Sequence, residues 1–180
     1  MRHKPLIQKI VVLGFLYMAA STVAASANQA VTSPPVPAPG PTPQDLWFGS
    51  LETLPNGGWQ YLLESGTGSN TLALYVSSHD ISIHGSVVVT WFRWEYMTAQ
   101  QYGYQSYKSA AVREEIECNR DATRDLAVTF YSKNNLKGQS TSQVSDPHAV
   151  QWSPAVPGTI GEAMVGWGCE QIRNHHHHHH

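Results

Sequence analysis

The chain has 180 residues, of which 11 are basic and 13 acidic, with only two cysteines. That length admits one domain of ordinary size once the terminal segments are set aside. A mildly acidic chain is a poor match for phosphate backbones, whose binding rests on neutralising many charges with Lys and Arg, so nucleic acid is excluded as a partner.

Arg2, Lys4 and Lys9 precede an uncharged apolar run from Ile10 through Ala20, and Ala25-Ser26-Ala27 follows with the small-x-small pattern of a signal peptidase site. A membrane anchor, the alternative, needs about 20 apolar residues, and this run reaches Ser21 and Thr22 sooner. Residues 1–27 are therefore read as a signal peptide, with no membrane span left after cleavage. Without its three basic residues, eight basic stand against 13 acidic, a net charge of −5. Residues 28–44 form a Pro-rich linker, with Pro34, Pro35, Pro37, Pro39, Pro41 and Pro43 among small residues. Such a stretch favours extended polyproline II and builds no core. The folded domain is expected over 45–174, and the histidines at 175–180 are an expression tag.

From Asp45 onward the pattern is mostly β. Trp59 to Glu64 follows the turn signal Asn56-Gly57-Gly58. Gly66 to Asn70 then separates it from Thr71 to Ser77, where Leu72, Leu74 and Val76 share one face, which makes a hairpin. Ser86 to Tyr96 is apolar on both faces and reads as a strand covered on both sides. A weaker strand runs near Tyr107 to Cys118, interrupted by Glu114, Glu115 and Glu117. Leu126, Val128 and Phe130 alternate in the next; the turn Lys133 to Gly138 leads to a polar strand near Gln139 to Val144. The fold class is α+β: an antiparallel meander of about six strands with one C-terminal helix packed on a sheet face.

Thr159-Ile160-Gly161-Glu162 has capping-box spacing, and Ile160, Ala163, Met164 and Trp167 fall on one helical face. Gly161, Gly166 and Gly168 each weaken a helix by about 1 kcal/mol relative to Ala. Cys169 lies opposite the Ile160 stripe, so either the helix is sandwiched or it frays near Gly168; fraying is the expectation. In an exported chain the pair Cys118 and Cys169 reads as a disulfide, with two buried free thiols as the alternative.

No catalytic residue, metal site or cofactor is legible. His79 and His84, five apart, would point to opposite faces of a continuous strand and cannot chelate one metal. Asp146-Pro147-His148 reads as a turn. Glu114, Glu115 and Glu117 read as solvated surface charges rather than a hydrolytic pair.

One segment stands out for binding. Trp94, Tyr96, Tyr102, Tyr104 and Tyr107 crowd together around Gly103, interleaved with Gln100, Gln101, Gln105 and Ser106. Rigid aromatics amid small polar groups resemble a paratope. For Trp94 and Tyr96, ordinary cross-strand packing serves equally well. Gln100, Gln101 and Gly103 read as an inter-strand loop, which makes Tyr102 and Tyr104 the contact anchors and Tyr107 structural.

Several landmarks, taken in order, carry a resemblance. Trp91 ends a Val-rich strand after Gly85; Tyr107 and Ser109 follow, then Cys118 with Arg120 and Arg124, and Tyr131 on the next strand. Trp152 precedes Pro157-Gly158-Thr159, a helix with Glu162, and finally Cys169. From Trp59 to Glu170 the chain resembles the surface-adhesin protein E family of Gram-negative bacteria. The resemblance implies a six-stranded antiparallel sheet with a C-terminal helix on one face, tied by the disulfide. It also implies a non-enzymatic extracytoplasmic binding protein, with host matrix or serum proteins as partners. Surface members carry a lipidated Cys after the signal, and here no Cys precedes Cys118. The location expected is therefore periplasmic or secreted, with surface display left open. A periplasmic accessory subunit or inhibitor of an envelope protein is the rival among binding proteins, and a small hydrolase with dispersed catalytic residues is the rival among enzymes.

Overall fold

The computed structural model describes residues 35–52 and 58–177. The segment read as a signal peptide and most of the Asn56-Gly57-Gly58 turn lie outside them. Met1–Ala38 and Pro39–His180 separate as two units; of the first, residues 35–38 are described, exposed and without regular structure.

The second unit is built on one antiparallel sheet. Strands β1 (Trp59–Ser65), β2 (Leu72–His84), β3 (Val87–Tyr102), β4 (Gln105–Glu117), β5 (Ala122–Lys133) and β6 (Lys137–Val144) each pair with the next in sequence. A two-residue strand β7 (Ser153–Pro154) adds to the start of β5. The meander follows from the turns: Gly85-Ser86 and Gly103-Tyr104 close short connections, with Gly85 and Gly103 at positive φ.

Alternation sorts the central side chains onto two faces. Register places Leu74, Trp94 and Ala110 in one row, then Val76, Phe92 and Val112, then Val88 and Ile116. Helix α2 (Ile160–His177) covers part of this face, where Met164 and Val165 join Leu74, Val76, Val88, Phe92 and Ile116 in the main core. Each fully buried side chain of this size contributes about 1.5–3 kcal/mol through removal from water.

Two expectations for α2 are corrected. The helix does not fray at Gly168 but runs on through Cys169, because Gly168 packs against Ile116 and both the Ile160 and Cys169 stripes are partly buried against the core. The capping box does not close as the spacing implied. Glu162 accepts from the Gly158 N–H at 2.7 Å, and the Thr159 hydroxyl donates to the Val156 carbonyl at 2.6 Å. The Cys118–Cys169 disulfide is formed, with 5.6 Å between the Cα atoms.

The opposite face carries a helix that the sequence reading did not anticipate. Helix α1 (Pro43–Gly49) begins inside the stretch read as linker. Thr42 caps it, Pro43 takes the first turn, and Asp45 closes a capping box at the third helical position. Leu51 behind it is buried with Ala73 and Tyr75, and Trp47, Phe48 and Trp59 pack around them.

Candidate binding surface

The β3–β4 hairpin carries the aromatic segment to its tip. Gln100 and Gln101 belong to strand β3, not to a loop, and pair with Tyr107 and Ser106. Tyr102 pairs with Gln105, so the turn is only Gly103-Tyr104. Glycine at the first turn position with φ of 58° fits the tight hairpin geometry that follows the strands' right-handed twist.

This geometry separates the five aromatic candidates. Tyr104 stands fully exposed at the tip, at 110% relative accessibility, and Tyr102 is 48% exposed. Tyr102 is nonetheless held: its ring stacks on Phe130 at 4.8 Å and its hydroxyl donates to Gln143 Oε1 at 3.0 Å. Trp94 stacks on Tyr96 at 6.5 Å, Tyr96 meets Tyr107 edge-on at 5.6 Å, and Tyr107 leans on Phe130 at 4.7 Å. Burial, followed by the neighbouring Tyr107, pushes the Tyr96 hydroxyl well above its ordinary range. Trp94, Tyr96, Tyr102 and Tyr107 thus form one cluster through Phe130, and Tyr104 stands apart from it. A shallow groove of about 970 Å³ runs from Tyr102 and Tyr104 across Gln139, Ser140 and Gln143 of β6.

Sequence reasoning missed Phe130 and Gln143 as partners of this segment, and it misjudged the glutamates. Glu114 is not solvated. Only 5% exposed, it lies on the α2 face in register with Thr90 and Asp125. Burial first, then the Asp125 carboxylate and a hydrogen bond with it, push its carboxyl well above the ordinary glutamate range. Glu115 is half-buried and ion-paired with Arg124. Glu117 accepts from the Asn119 N–H at 3.1 Å. The signal was available: Ala110, Val112, Glu114 and Ile116 alternate on one face, which places Glu114 among apolar neighbours.

On the α1 face lies a buried polar network that no motif announced. Arg93 and Glu95, 2% and 0% exposed, sit 3.1 Å apart. Glu95 accepts from Asn134 Nδ2 at 2.8 Å and from the Asn135 N–H at 2.9 Å, and Arg93 donates to the Glu52 carbonyl at 2.9 Å. The Arg93 guanidinium lies 4.1 Å from the Tyr75 ring centroid. Burial raises the Glu95 carboxyl, opposed by Asn134, Asn135 and Arg93. The network joins β3, the β5–β6 turn and the segment after α1, so its role is to hold the chain together.

Other landmarks are structural too. Arg120 and Arg124 lie 4.8 and 4.3 Å from the Trp152 ring, and Arg124 donates to the Pro147 carbonyl at 2.8 Å, which pins that loop to β5. His84 ends β2 at its hairpin, His79 lies in an irregular part of β2, and the His148 N–H is held by Asp146. Among the described residues, no group of three or more His, Cys, Asp or Glu could hold a metal ion, and no helix is long and apolar enough to cross a membrane.

A six-stranded antiparallel meander, closed by a C-terminal helix that a disulfide ties to the fourth strand, defines a small α+β domain with an aromatic hairpin at one end. Its sequence matches the surface-adhesin protein E family over residues 59–170, and the chain belongs to that family. Among solved structures it is similar to protein E from non-typeable Haemophilus influenzae, at 13% identity over 67% of this chain and 78% of that one, with a TM-score of 0.43. A second crystal form of Haemophilus influenzae protein E gives 12% identity over 67% and 93% of the two chains, with a TM-score of 0.47. No curated protein matches the chain.

Proposed function

We propose that this protein is an exported, non-enzymatic protein-binding module of the adhesin type, acting in the periplasm or outside the cell through the tip of the β3–β4 hairpin. Family membership supports the class. The observation that carries the surface is Tyr104, a large ring left fully exposed on a two-residue turn between paired strands. A ring presented this way offers contact area at little entropic cost, because the turn and strands already fix its backbone. Tyr102 and the polar groove along β6 extend the surface.

The test has two stages. Purified domain is used to capture partners from host matrix and serum proteins and, separately, from the organism's own envelope. Tyr104→Ala is then compared with wild type against whichever partner is captured. Binding should weaken by about 1–2 kcal/mol or more, roughly tenfold, as for a contact anchor, while the melting temperature stays put because Tyr104 packs on nothing. Tyr102→Ala should lower both, since it also loses its stack on Phe130. Undiminished binding by Tyr104→Ala would sink the hairpin surface.

A further inference from the structure

Beside the hairpin cluster, on the α2 face, a cleft of about 370 Å³ opens between β3, β4 and β5. Trp94, Tyr96, Tyr102, Tyr107 and Phe130 line it together with the carboxyl groups of Glu114 and Asp125, and the polar side chains of Gln143 and Ser145 also face it. Glu114 is 5% exposed, its carboxyl meets that of Asp125, and its Oε2 atom receives no hydrogen bond from any other group. Asp125, in register with it across β4–β5, is exposed. Among the described residues neither carboxylate forms an ion pair with a Lys, Arg or His. Two carboxyl groups that face each other must share a proton or repel, a cost that a bound cationic donor would relieve.

The chemistry of the lining selects the occupant. The aromatic faces attract a cation electrostatically, and the Asp125 charge repels an anion. A neutral apolar guest would fill the rings but leave Glu114 Oε2 unmet. A metal ion would find two protein carboxylates there and, among the described residues, no third His, Cys, Asp or Glu to join them. A primary ammonium supplies three N–H donors, enough for both carboxylates, and its methylene stem packs along aromatic rings. We propose that this cleft binds a primary alkylammonium group, the nitrogen between Glu114 and Asp125 and the stem against Trp94, Tyr96 and Phe130. The proposal stands independently of the hairpin tip, whose test turns on Tyr104, a residue outside this cleft.

Occupancy carries its own signature. Burial and the facing Asp125 both raise the Glu114 carboxyl; Asp125 reaches it from β5, and the Thr90 hydroxyl is in register with it on β3. An ammonium, protonated at neutral pH because its pKa is near that of lysine at about 10.4, offsets both causes, so binding should bring the Glu114 carboxyl back down.

The experiment is calorimetric titration of the full domain at neutral pH with n-butylammonium chloride, n-butanol and a lysine-containing tripeptide, in two buffers of different ionisation enthalpy. Tryptophan emission provides a second readout. Saturable binding of butylammonium is expected, with at least a tenfold preference over butanol, and the difference between the two buffers reads any proton that Glu114 gives up. Glu114→Gln and Asp125→Asn should each weaken it at least tenfold. Asp125 is exposed, so its variant carries the test if Glu114→Gln folds poorly. A tripeptide at least tenfold tighter than butylammonium identifies a protein lysine as the natural source, and equal or weaker binding identifies a free amine. Equal binding of butanol and butylammonium, or unchanged binding by Asp125→Asn, overturns the site.

Discussion

Gly168 meets Ile116 with no side chain between them: a Cβ placed on Gly168 would lie 2.6 Å from Ile116 Cδ1 and 3.2 Å from its Cγ2. The bare backbone lets α2 lie low on β4, and the next residue, Cys169, can then reach Cys118. A glycine that weakens the helix in isolation is what allows the helix to dock.

Two glycines of the same helix should therefore respond in opposite directions. Gly168→Ala gains helix propensity but forces a methyl into a buried branched side chain, and should lose about 1–3 kcal/mol, the usual range for overpacking. Gly166 is exposed with nothing within 4 Å of its added Cβ, so Gly166→Ala should gain up to about 1 kcal/mol. Urea unfolding of both variants measures the contrast, and stabilisation by both would mean that α2 is not held this closely.

Removing the bridge should cost more. Cys169→Ser is expected to lose about 2–5 kcal/mol, typical of a native disulfide in a small exported domain. Reductant should lower the wild-type melting temperature to that of the variant and leave the variant unchanged. The comparison separates loss of the covalent link from loss of the sulfur's packing.

For the Arg93–Glu95 network the informative measurement is a double-mutant cycle. Glu95→Ala leaves the Arg93 guanidinium buried without its partner and frees Asn134 and Asn135, and should cost about 3–5 kcal/mol. Arg93→Met combined with Glu95→Ala removes both charges and should cost less than the sum of the two single changes. Additive losses would show that the two side chains are not energetically coupled.

Glu114 gives the domain a pH dependence of definite sign. Its folded carboxyl titrates above the ordinary glutamate value of 4.5, so between that value and its raised one the native state holds a proton that the unfolded chain has released. Stability should be full below pH 4.5 and fall as pH rises through this window, by at most about 1.4 kcal/mol per pH unit for one proton. Glu95, also raised, adds in the same direction. Glu114→Gln mimics the protonated acid, so the slope of melting temperature against pH should shrink and the variant should be more stable than wild type at neutral pH. A slope that Glu114→Gln leaves unaltered would assign the dependence to Glu95.

Alternation and turn residues were enough to read the meander, because Leu72, Leu74 and Val76 or Leu126, Val128 and Phe130 declare their faces within a few positions. The disulfide followed from there being two cysteines in a chain read as exported. What stayed hidden depended on contacts distant in sequence or on one signal masking another. The density of prolines before Asp45 concealed α1, although Thr42-Pro43-Gln44-Asp45 is itself a helix start. Three glutamates in four residues looked like a solvated run, and the eye passed over the parity that buries the first. Asn134 and Asn135 read as turn formers, which they are, but their bonds to Glu95 span 39 and 40 residues and depend on register across β3, β4 and β5. At the hairpin, the glutamines suggested a loop where the strands in fact continue to the last pair before Gly103-Tyr104.

The neighbour-by-neighbour order of β1 to β6 also bears on how the chain acquires its structure. Every pairing along that path joins consecutive segments, so the sheet can zip one hairpin at a time with small loop-closure cost, as in chains rich in local contacts. The long-range closures come from the two ends, where α1 and the residues after it return to the β5–β6 turn and α2 returns to β4. Those end pieces should be the last to lock and the first to open, and amide hydrogen exchange should find α1 less protected than the paired centre of β3 and β4.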